Sequence, residues 1–492
     1  RALCSKAPLG EIGEQHSIDF VPTQICDHIH GCWSAVDKPE GYQMPMTVYH
    51  GCIQNELRSL HNRHLVSRVL PSLPTVRAVA KHFHSVRPRQ RFCTLTDQEV
   101  IRLTPSHRRA RVIQALEDFQ TRGLMDKDTM VHGFIKHEKA GDDLTDPNEM
   151  KDPRLIQFRS FVFTAQFQRV LIPIEHWIFG WCQNFEPSGR KDEQMFAKGM
   201  TTRQVGGWVN NQWGKYDLPR ADLYDVSRFD AHMNKYVREL IEFALYTDCN
   251  KACSEYVAVM RKNRGVTRGG IKYRTSYTMG SGEACTSLGD SVVMAAVEEY
   301  IYREVPHSKI ILGDDSVVVC ESEFTPNWRI FEECGLPIKY DSAYSIHEVE
   351  FCQSRPCRIS GVWRMVRNPT RVMSRSTDCI HRFVKHSTYG DWVATVGEGE
   401  LAVNDGVPVL QEFALYLQKF GKSRETFKQM IIRERHSQDW MTDWKRNRGP
   451  QVITAEARAD FALAWGIPVD DQQRMEQKMR GCAQYSAGVR VL

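Results

Sequence analysis

Apolar residues recur at helical spacing over several long stretches of this chain and at strand spacing over a few short ones. "PSHRRARVIQALEDFQTRGL" sets Val112, Ile113, Leu116 and Phe119 at helical spacing behind a run of basic residues and predicts a helix. Apolar density rises over residues 161–181, and a long helix is expected there. Residues 218–245 open strand-like in "ADLYDVS". They turn helical through "RFDAHMNKYVRELIEFALY", where Met233, Val237, Ile241 and Leu245 fall four apart. Another helix is expected over 284–303. Two apolar runs follow, 310–312 and 317–319, joined by Gly313, Asp314 and Asp315, and they read as a hairpin. From about residue 371 onward "DWVATVGEGELAVNDGVPVLQEFALYLQKF" and "ETFKQMIIRERHSQDWMTDW" predict a separate helical subdomain. Residues 1–130 mix short helical patterns with loops, including the basic, proline-broken "SRVLPSLPTVRAVAKHFHSVRPRQR". Residues 134–160 are polar and irregular, and neither repeats nor low-complexity tracts occur.

At 492 residues the chain exceeds the size at which one core stops growing, so two or three subdomains are expected. Its 41% hydrophobic and 25% charged residues exclude a disordered chain. A net charge of +5 permits a nucleic-acid partner without arguing for one, so any basic surface must be local. No apolar run is long enough to cross a bilayer; the longest candidate, 170–181, carries Glu175 and His176. The opening "RALCSKAPLGEIGEQHS" has no signal-peptide core and no initiator Met, and is expected to belong to a longer or processed product. Fifteen cysteines without a framework of spacings read as reduced thiols. "CDHIHGC" offers Cys26, His28, His30 and Cys32, but not the two-knuckle layout of zinc sites, and reads as a polar loop. Cys249 and Cys253 lie four apart on an expected helix, where packing is the ordinary reason.

The hairpin raises the chemical question. Gly-Asp is common turn chemistry, so Asp314 and Asp315 alone say little. Upstream, Asp225 ends the expected strand and Asp230 opens the helix. Alone, the first reads as a solvated strand end and the second as an N-cap. If the strand lies beside the hairpin, however, Asp225 faces Asp314 and Asp315. Three carboxylates at one point repel each other and need cations. Few oxygen ligands, left open to substrate phosphates, are the usual Mg²⁺ arrangement, and two such ions can stabilise both ends of a phosphoryl transfer. Between these segments, "TMGSGEACTSLGD" forms a glycine-rich loop into a helix, with Thr286 and Asp290 on one helix face and no Walker lysine.

The order of these segments resembles the RNA-dependent RNA polymerases of plus-strand RNA viruses, most closely the tombusvirus family, over roughly residues 134–370. "FIKHEK…DPRLIQFRS" resembles the basic fingers motif that binds incoming triphosphate. "AKGMT" resembles the segment before the palm. "DVSRFDAH", "SGEACTSLGD", "LGDDSVVV", "ECGLPIKYD" and "VEFCQSRP" resemble five successive palm motifs, and "WRMVRNP" follows. Two departures are visible: Asp290 stands where the family pattern usually has Asn, and Leu312 where it often has Asn. The match before about residue 130 is loose.

The resemblance implies an α+β right-hand polymerase. Fingers would hold 1–220, with 250–275 returning to them. A palm at 221–365 would carry an antiparallel sheet backed by helices, and 366–492 would form a largely helical thumb. It implies nucleotidyl transfer from a nucleoside triphosphate to an RNA 3′ end, with Mg²⁺ or Mn²⁺ as cofactor. Asp225 and Asp314 would be the principal metal ligands and Asp315 would assist. Lys339 would protonate the leaving pyrophosphate. Lys136, Lys139, Arg154 and Arg159 would hold the triphosphate. Asp230, Ser281, Gly282, Thr286 and Asp290 would sense the ribose and template. An ionised Asp290 cannot donate the hydrogen bond an Asn would; either it shares a proton with Asp230, or a cation such as Lys272 or Arg274 neutralises it. Expected partners are template and product RNA, nucleoside triphosphates, a viral membrane-anchoring replication protein and further copies of the chain. The expected setting is membrane-associated replication complexes in host cytoplasm, with initiation without primer. A reverse transcriptase is disfavoured because Asp230 would not exclude a 2′-hydroxyl. A non-catalytic RNA-binding scaffold would not keep three uncompensated acids, and a nuclease would not need the triphosphate segment.

Overall fold

The hairpin, the strand before it and the helix between them form the centre of the computed structural model. The structure describes residues 2–3, 8–23, 48–139, 152–186, 190–381, 384–435 and 449–481. Cys26, His28, His30 and Cys32 lie outside the described residues.

In chain order the strands are β1 (Ala2–Leu3), β2 (Ser17–Phe20), β3 (Val48–Tyr49), β4 (Val131–Ile135), β5 (Leu155–Phe158), β6 (Pro219–Val226), β7 (Lys262–Thr267), β8 (Lys272–Ser276), β9 (His307–Leu312), β10 (Asp315–Glu321), β11 (Ile338–Ala343), β12 (Ser354–Ile359) and β13 (Val362–Arg367). A four-stranded antiparallel sheet has the order β11-β6-β10-β9. A five-stranded sheet, β2-β8-β7-β4-β5, is antiparallel except where β4 meets β7. β12 and β13 pair as a separate ribbon, and β1 pairs with β3 in parallel. Mixed helices and mainly antiparallel sheets make this an α+β fold.

The four-stranded sheet is backed by the Thr286–Ile301 helix, which is buried nearly all round, as an apolar helix without a polar stripe must be. Val292, Val293, Val297, Tyr224, Val318 and Ile311 share one core with it. A second core lies among the helices after Pro369, around Trp392, Phe413 and Phe461. The basic segment "RKNRGVTRGGIKYR" forms the β7–β8 hairpin and inserts into the five-stranded sheet.

Most expected elements are present: helices at Ser106–Arg122, Phe161–Ile178 and Thr286–Ile301, strand β6, and the β9–β10 hairpin. The long helix expected after β6 is broken. It stops at Phe229–His232 and restarts under Asn234, whose side chain accepts from the amides of Tyr236 and Val237. It then loosens into a π turn at Arg238–Glu242. Cys249 and Cys253 are both buried, as packing requires, but they belong to two helices, Phe243–Cys249 and Cys253–Met260. Among the described residues no helix is long and apolar enough to cross a membrane.

Candidate active site

Asp225 sits at the end of β6, and the antiparallel register places it opposite Asp315 on β10. On its other side β11 places Lys339 opposite Asp225, and the lysine Nζ lies 3.3 Å from a carboxylate oxygen of Asp225. Gly313 makes the tight turn at φ +67°, which leaves Asp314 at the tip between the paired residues Leu312 and Asp315. All four charged residues line one open cavity of about 750 Å³.

Desolvation by the cavity walls, reinforced by Asp225, pushes the Asp314 carboxyl up, against a backbone hydrogen bond and Arg154 that hold it down. Desolvation, then Asp314 and Asp225, push Asp315 up to about 7. Both shifts follow from burial first and from like charge at the neighbouring aspartates second. Among the described residues no group of three His, Cys, Asp or Glu side chains could hold a metal ion by itself. The donor set nevertheless fits Mg²⁺ or Mn²⁺ of the substrate-sharing kind, in which two or three carboxylates leave positions open for phosphate oxygens.

β6 is held in place from behind. Asp222, fully buried, accepts two hydrogen bonds from Arg220 at 3.0 and 2.9 Å. It also accepts from Tyr302 at 2.6 Å, Tyr340 at 2.8 Å and Ser342 at 3.1 Å. The network ties β6 to β11 and to the end of the central helix, so the carboxylate face cannot slide.

A smaller cavity of about 220 Å³ adjoins the first, with Asp314 in the wall of both. Arg63, Arg154 and Arg228 line it opposite Asp230, Ser281, Thr286 and Asp290. The 280–282 loop is pinned to β5: the Gly282 amide donates to the Gln157 carbonyl at 2.8 Å and the Ser281 hydroxyl to the Leu155 carbonyl at 3.2 Å. A Cβ at Gly282 would lie 2.9 Å from the Gln157 oxygen, so only glycine lets the loop approach this closely. The Thr286 hydroxyl donates to the Gly280 carbonyl at 2.6 Å, which leaves its lone pairs for other donors.

Asp230 and Asp290 both line this cavity. Burial, with Asp314 and Glu283 adding to it, pushes Asp230 up to about 7 against Arg154 and Arg63. Burial and then Asp230 push Asp290 well above the usual carboxylate range. One buried oxygen of Asp290 has no hydrogen-bond partner among the described residues. Lys272 and Arg274 do not supply the neutralising charge. Both point from β8 to the exposed face of the five-stranded sheet, and Arg274 donates to Asp19 at 2.8 Å. Arg154 and Arg63 pull Asp230 down and Arg238 pulls Asp290 down, but burial outweighs them and both acids stay above the usual carboxylate range.

Two of the expected triphosphate contacts lie apart from this cavity, and a third is buried. Arg159 ties the fold together: it is buried, pairs with Glu283 at 2.7 Å and donates to Asn263 and to the Thr129 carbonyl. Lys136 pairs with Glu138 at 3.0 Å, and Lys139 donates to the Arg375 carbonyl at 2.6 Å. Both line a third cavity of about 790 Å³ with Arg371, Arg375 and Trp392. Arg154 remains in the wall of the small cavity, half exposed and 3.6 Å from Glu138. Sequence reasoning missed Arg63, Arg228 and Asp222. Arg63 comes from a π turn, Leu60–His64, far along the chain from Arg154. Arg228 sits inside the quoted "DVSRFDAH", held at φ +53° just before the Asp230 helix.

A family model described as viral RNA dependent RNA polymerase matches residues 43–483. The chain belongs to the viral RNA-dependent RNA polymerase family, as its motif order suggests. It is 27% identical over 382 residues to the RNA-directed RNA polymerase of Tomato bushy stunt virus (strain Cherry), covering 74% of this chain and 45% of that protein. It is 28% identical over 401 residues to the RNA-directed RNA polymerase of Tobacco necrosis virus (strain D), covering 78% and 54%. For the RNA-directed RNA polymerase of Cucumber necrosis virus the figures are 28% over 388 residues, 74% and 45%. The chain spans about half the length of the curated relatives it matches.

Proposed function

We propose that this chain copies viral RNA by transferring nucleotides from nucleoside triphosphates to an RNA 3′ end. The observation that carries the reading is the register of β6 on β10, which sets Asp225 opposite Asp315 and beside Asp314 at the junction of two cavities. When bound, Mg²⁺ or Mn²⁺ supplies neutralisation of the phosphate oxygens and activation of the 3′-hydroxyl. Asp225 and Asp314 would hold it, with Asp315 in support. Arg154, Arg63 and Arg228 receive the triphosphate, Arg154 through its planar fork. Lys339, exposed beside Asp225, is placed to give a proton to the leaving pyrophosphate. Asp230, Ser281, Thr286 and Asp290 face the ribose, with Gly282 shaping the loop. The right-hand layout of fingers, palm and thumb, initiation without primer, and work at host-cytoplasmic membranes beside an anchoring viral protein belong to the same reading. The test is a homopolymer template with Mg²⁺ and labelled ribo- or deoxynucleotides. Ribonucleotide product is expected; its absence from the wild-type chain rejects the proposal.

Arg154→Ala is expected to raise KM for triphosphate and to lower kcat, a loss of about 2–3 kcal/mol for a charged hydrogen bond removed from the site. Arg63→Ala should act in the same direction by about tenfold, because Arg63 shares the cavity from a different element. Steady-state kinetics at saturating template decide this, and unchanged KM in both variants removes the arginines from the triphosphate path.

The Asp230–Asp290 pair makes ribose selection depend on pH. A shared proton gives Asp290 the donor that an Asn would supply. Discrimination, the ratio of kcat/KM for ribo- over deoxynucleotide, is then expected to fall as pH rises from about 6 to 8.5 and the pair loses that proton. Asp290→Asn should give a flatter profile and be at least as selective. A flat wild-type profile, or an Asn variant that loses selectivity, overturns the shared proton.

A further inference from the structure

The five-stranded sheet has one covered face. Ile135, Leu155 and Tyr273 pack there on Tyr49, Ile53 and Leu60. On β4 the burial alternates, so His132 and Phe134 point the other way, into solvent. β7 and β8 alternate likewise and expose Lys262, Arg264, Lys272 and Arg274. The register places these on the same side as His132 and Phe134: His132 pairs with Val266, Val266 with Lys272 and Arg264 with Arg274. Phe20 at the β2 end, 53% exposed, pairs with Lys272. Phe158 at the β5 end pairs with His132, and its ring lies 5.8 Å from that of Phe134.

Nothing in the fold calls for this composition. Two arginines directly opposite each other destabilise a strand pair. Their acids, Asp126 for Arg264 and Asp19 for Arg274, sit at exposed positions where such pairs contribute little. Lys262 and Lys272 form no salt bridge among the described residues, and Phe134 and Phe20 keep ring surface in water. A flat face that interleaves four cations, two of them paired only with exposed acids and one, Lys272, lying over the Phe20 ring, with part-exposed aromatic rings matches one ligand chemistry, a polyanion with exposed planar bases. Four strand spacings of about 4.8 Å make the face about 19 Å wide, enough for a few nucleotides. Its β5 edge touches the 280–282 loop of the candidate site through the Gly282 amide.

We infer that this open sheet face is a binding surface for single-stranded RNA, with Lys262, Lys272, Arg264 and Arg274 on the phosphates and Phe20 and Phe134 under the bases. It lies outside both catalytic cavities, and its test needs no nucleotide addition, so it stands or falls separately from the proposed chemistry. The experiment is fluorescence anisotropy of the whole chain with a labelled uridine homopolymer of about 12 nucleotides, over a salt series. Two double variants are compared, Lys262→Ala with Lys272→Ala and Phe20→Ala with Phe134→Ala, each with a thermal melt. The lysine pair should weaken binding about tenfold at low salt and flatten the logarithmic salt slope by roughly 1.4, two contacts at about 0.7 each. The phenylalanine pair should weaken it by about tenfold or more with the slope unchanged. Lys262→Arg with Lys272→Arg should restore wild-type binding, and a matched RNA duplex should be insensitive to the phenylalanine pair. Unchanged affinity in both double variants overturns the inference. So does a lysine effect without a phenylalanine effect, which would mean a surface blind to bases. So does a lysine effect confined to phosphatidylserine vesicles, which would make the face a membrane surface.

Discussion

Asp314→Ala is expected to lower the rate of nucleotide addition by on the order of 10³-fold or more while RNA binding stays near wild type. The substitution removes a carboxylate from the walls of both cavities and leaves every basic contact in place. It should not harm the fold. Asp314 is among the groups that hold the carboxyls of Asp315, Asp230 and Asp290 up, so its removal relieves repulsion at three neighbours. The melting temperature should therefore be equal to wild type or higher, the pattern of a site whose charges are kept for chemistry at the expense of stability. Single-turnover incorporation, anisotropy with template and a thermal melt, run on the same preparation, separate the three effects. A rate close to wild type would show that the carboxylate cluster is not catalytic.

Arg238→Ala should destabilise the fold by about 3–5 kcal/mol. Arg238 and Glu242 are both fully buried and pair at 2.7 and 3.2 Å across one turn of the π segment. The guanidinium also donates to the carbonyls of Tyr277 and Thr278. Without it Glu242 is an unpaired buried acid and two carbonyls lose a donor. The damage should reach the site, because the next amide, Met279, donates to the backbone carbonyl of Asp230 at 2.9 Å. Denaturant midpoints measure the loss. Glu242→Gln combined with Arg238→Met should cost clearly less than the sum of the single changes, since neither partner is then stranded with a charge. A single Arg238→Ala change below about 1 kcal/mol would mean that water reaches the pair.

What the chain discloses by itself follows from how local each feature is. The β9–β10 hairpin was legible because its apolar runs, glycine and acids are contiguous. The approach of Asp225 was legible only as a condition on strand pairing, and the register supplies it. Arg154 and Arg159 look alike in sequence, but they flank β5 five residues apart. An odd step along a strand turns the two side chains to opposite faces, so one lines the cavity and the other is buried against Glu283. Arg63 could not be found by spacing, because only tertiary packing brings its π turn to Arg154. Asp222 was hidden for another reason. A buried acid three residues from a functional one gives no signal until its donors from Arg220, Tyr302, Cys320, Tyr340 and Ser342 are in place.

The order β11-β6-β10-β9 also dictates when the site can exist during synthesis. β6 is translated well before both of its neighbours, and it must wait for each of them. Such non-local pairings are slow to form, and until they do a nascent chain holds Asp225 and Asp230 with nothing opposite them. A ribosome that has released only residues 1–305 has made the helix that will back the sheet, but no arrangement of acids able to hold a cation between strands. A chain ending there would contain every strand of the five-stranded sheet but, of the four strands around the carboxylates, β6 alone.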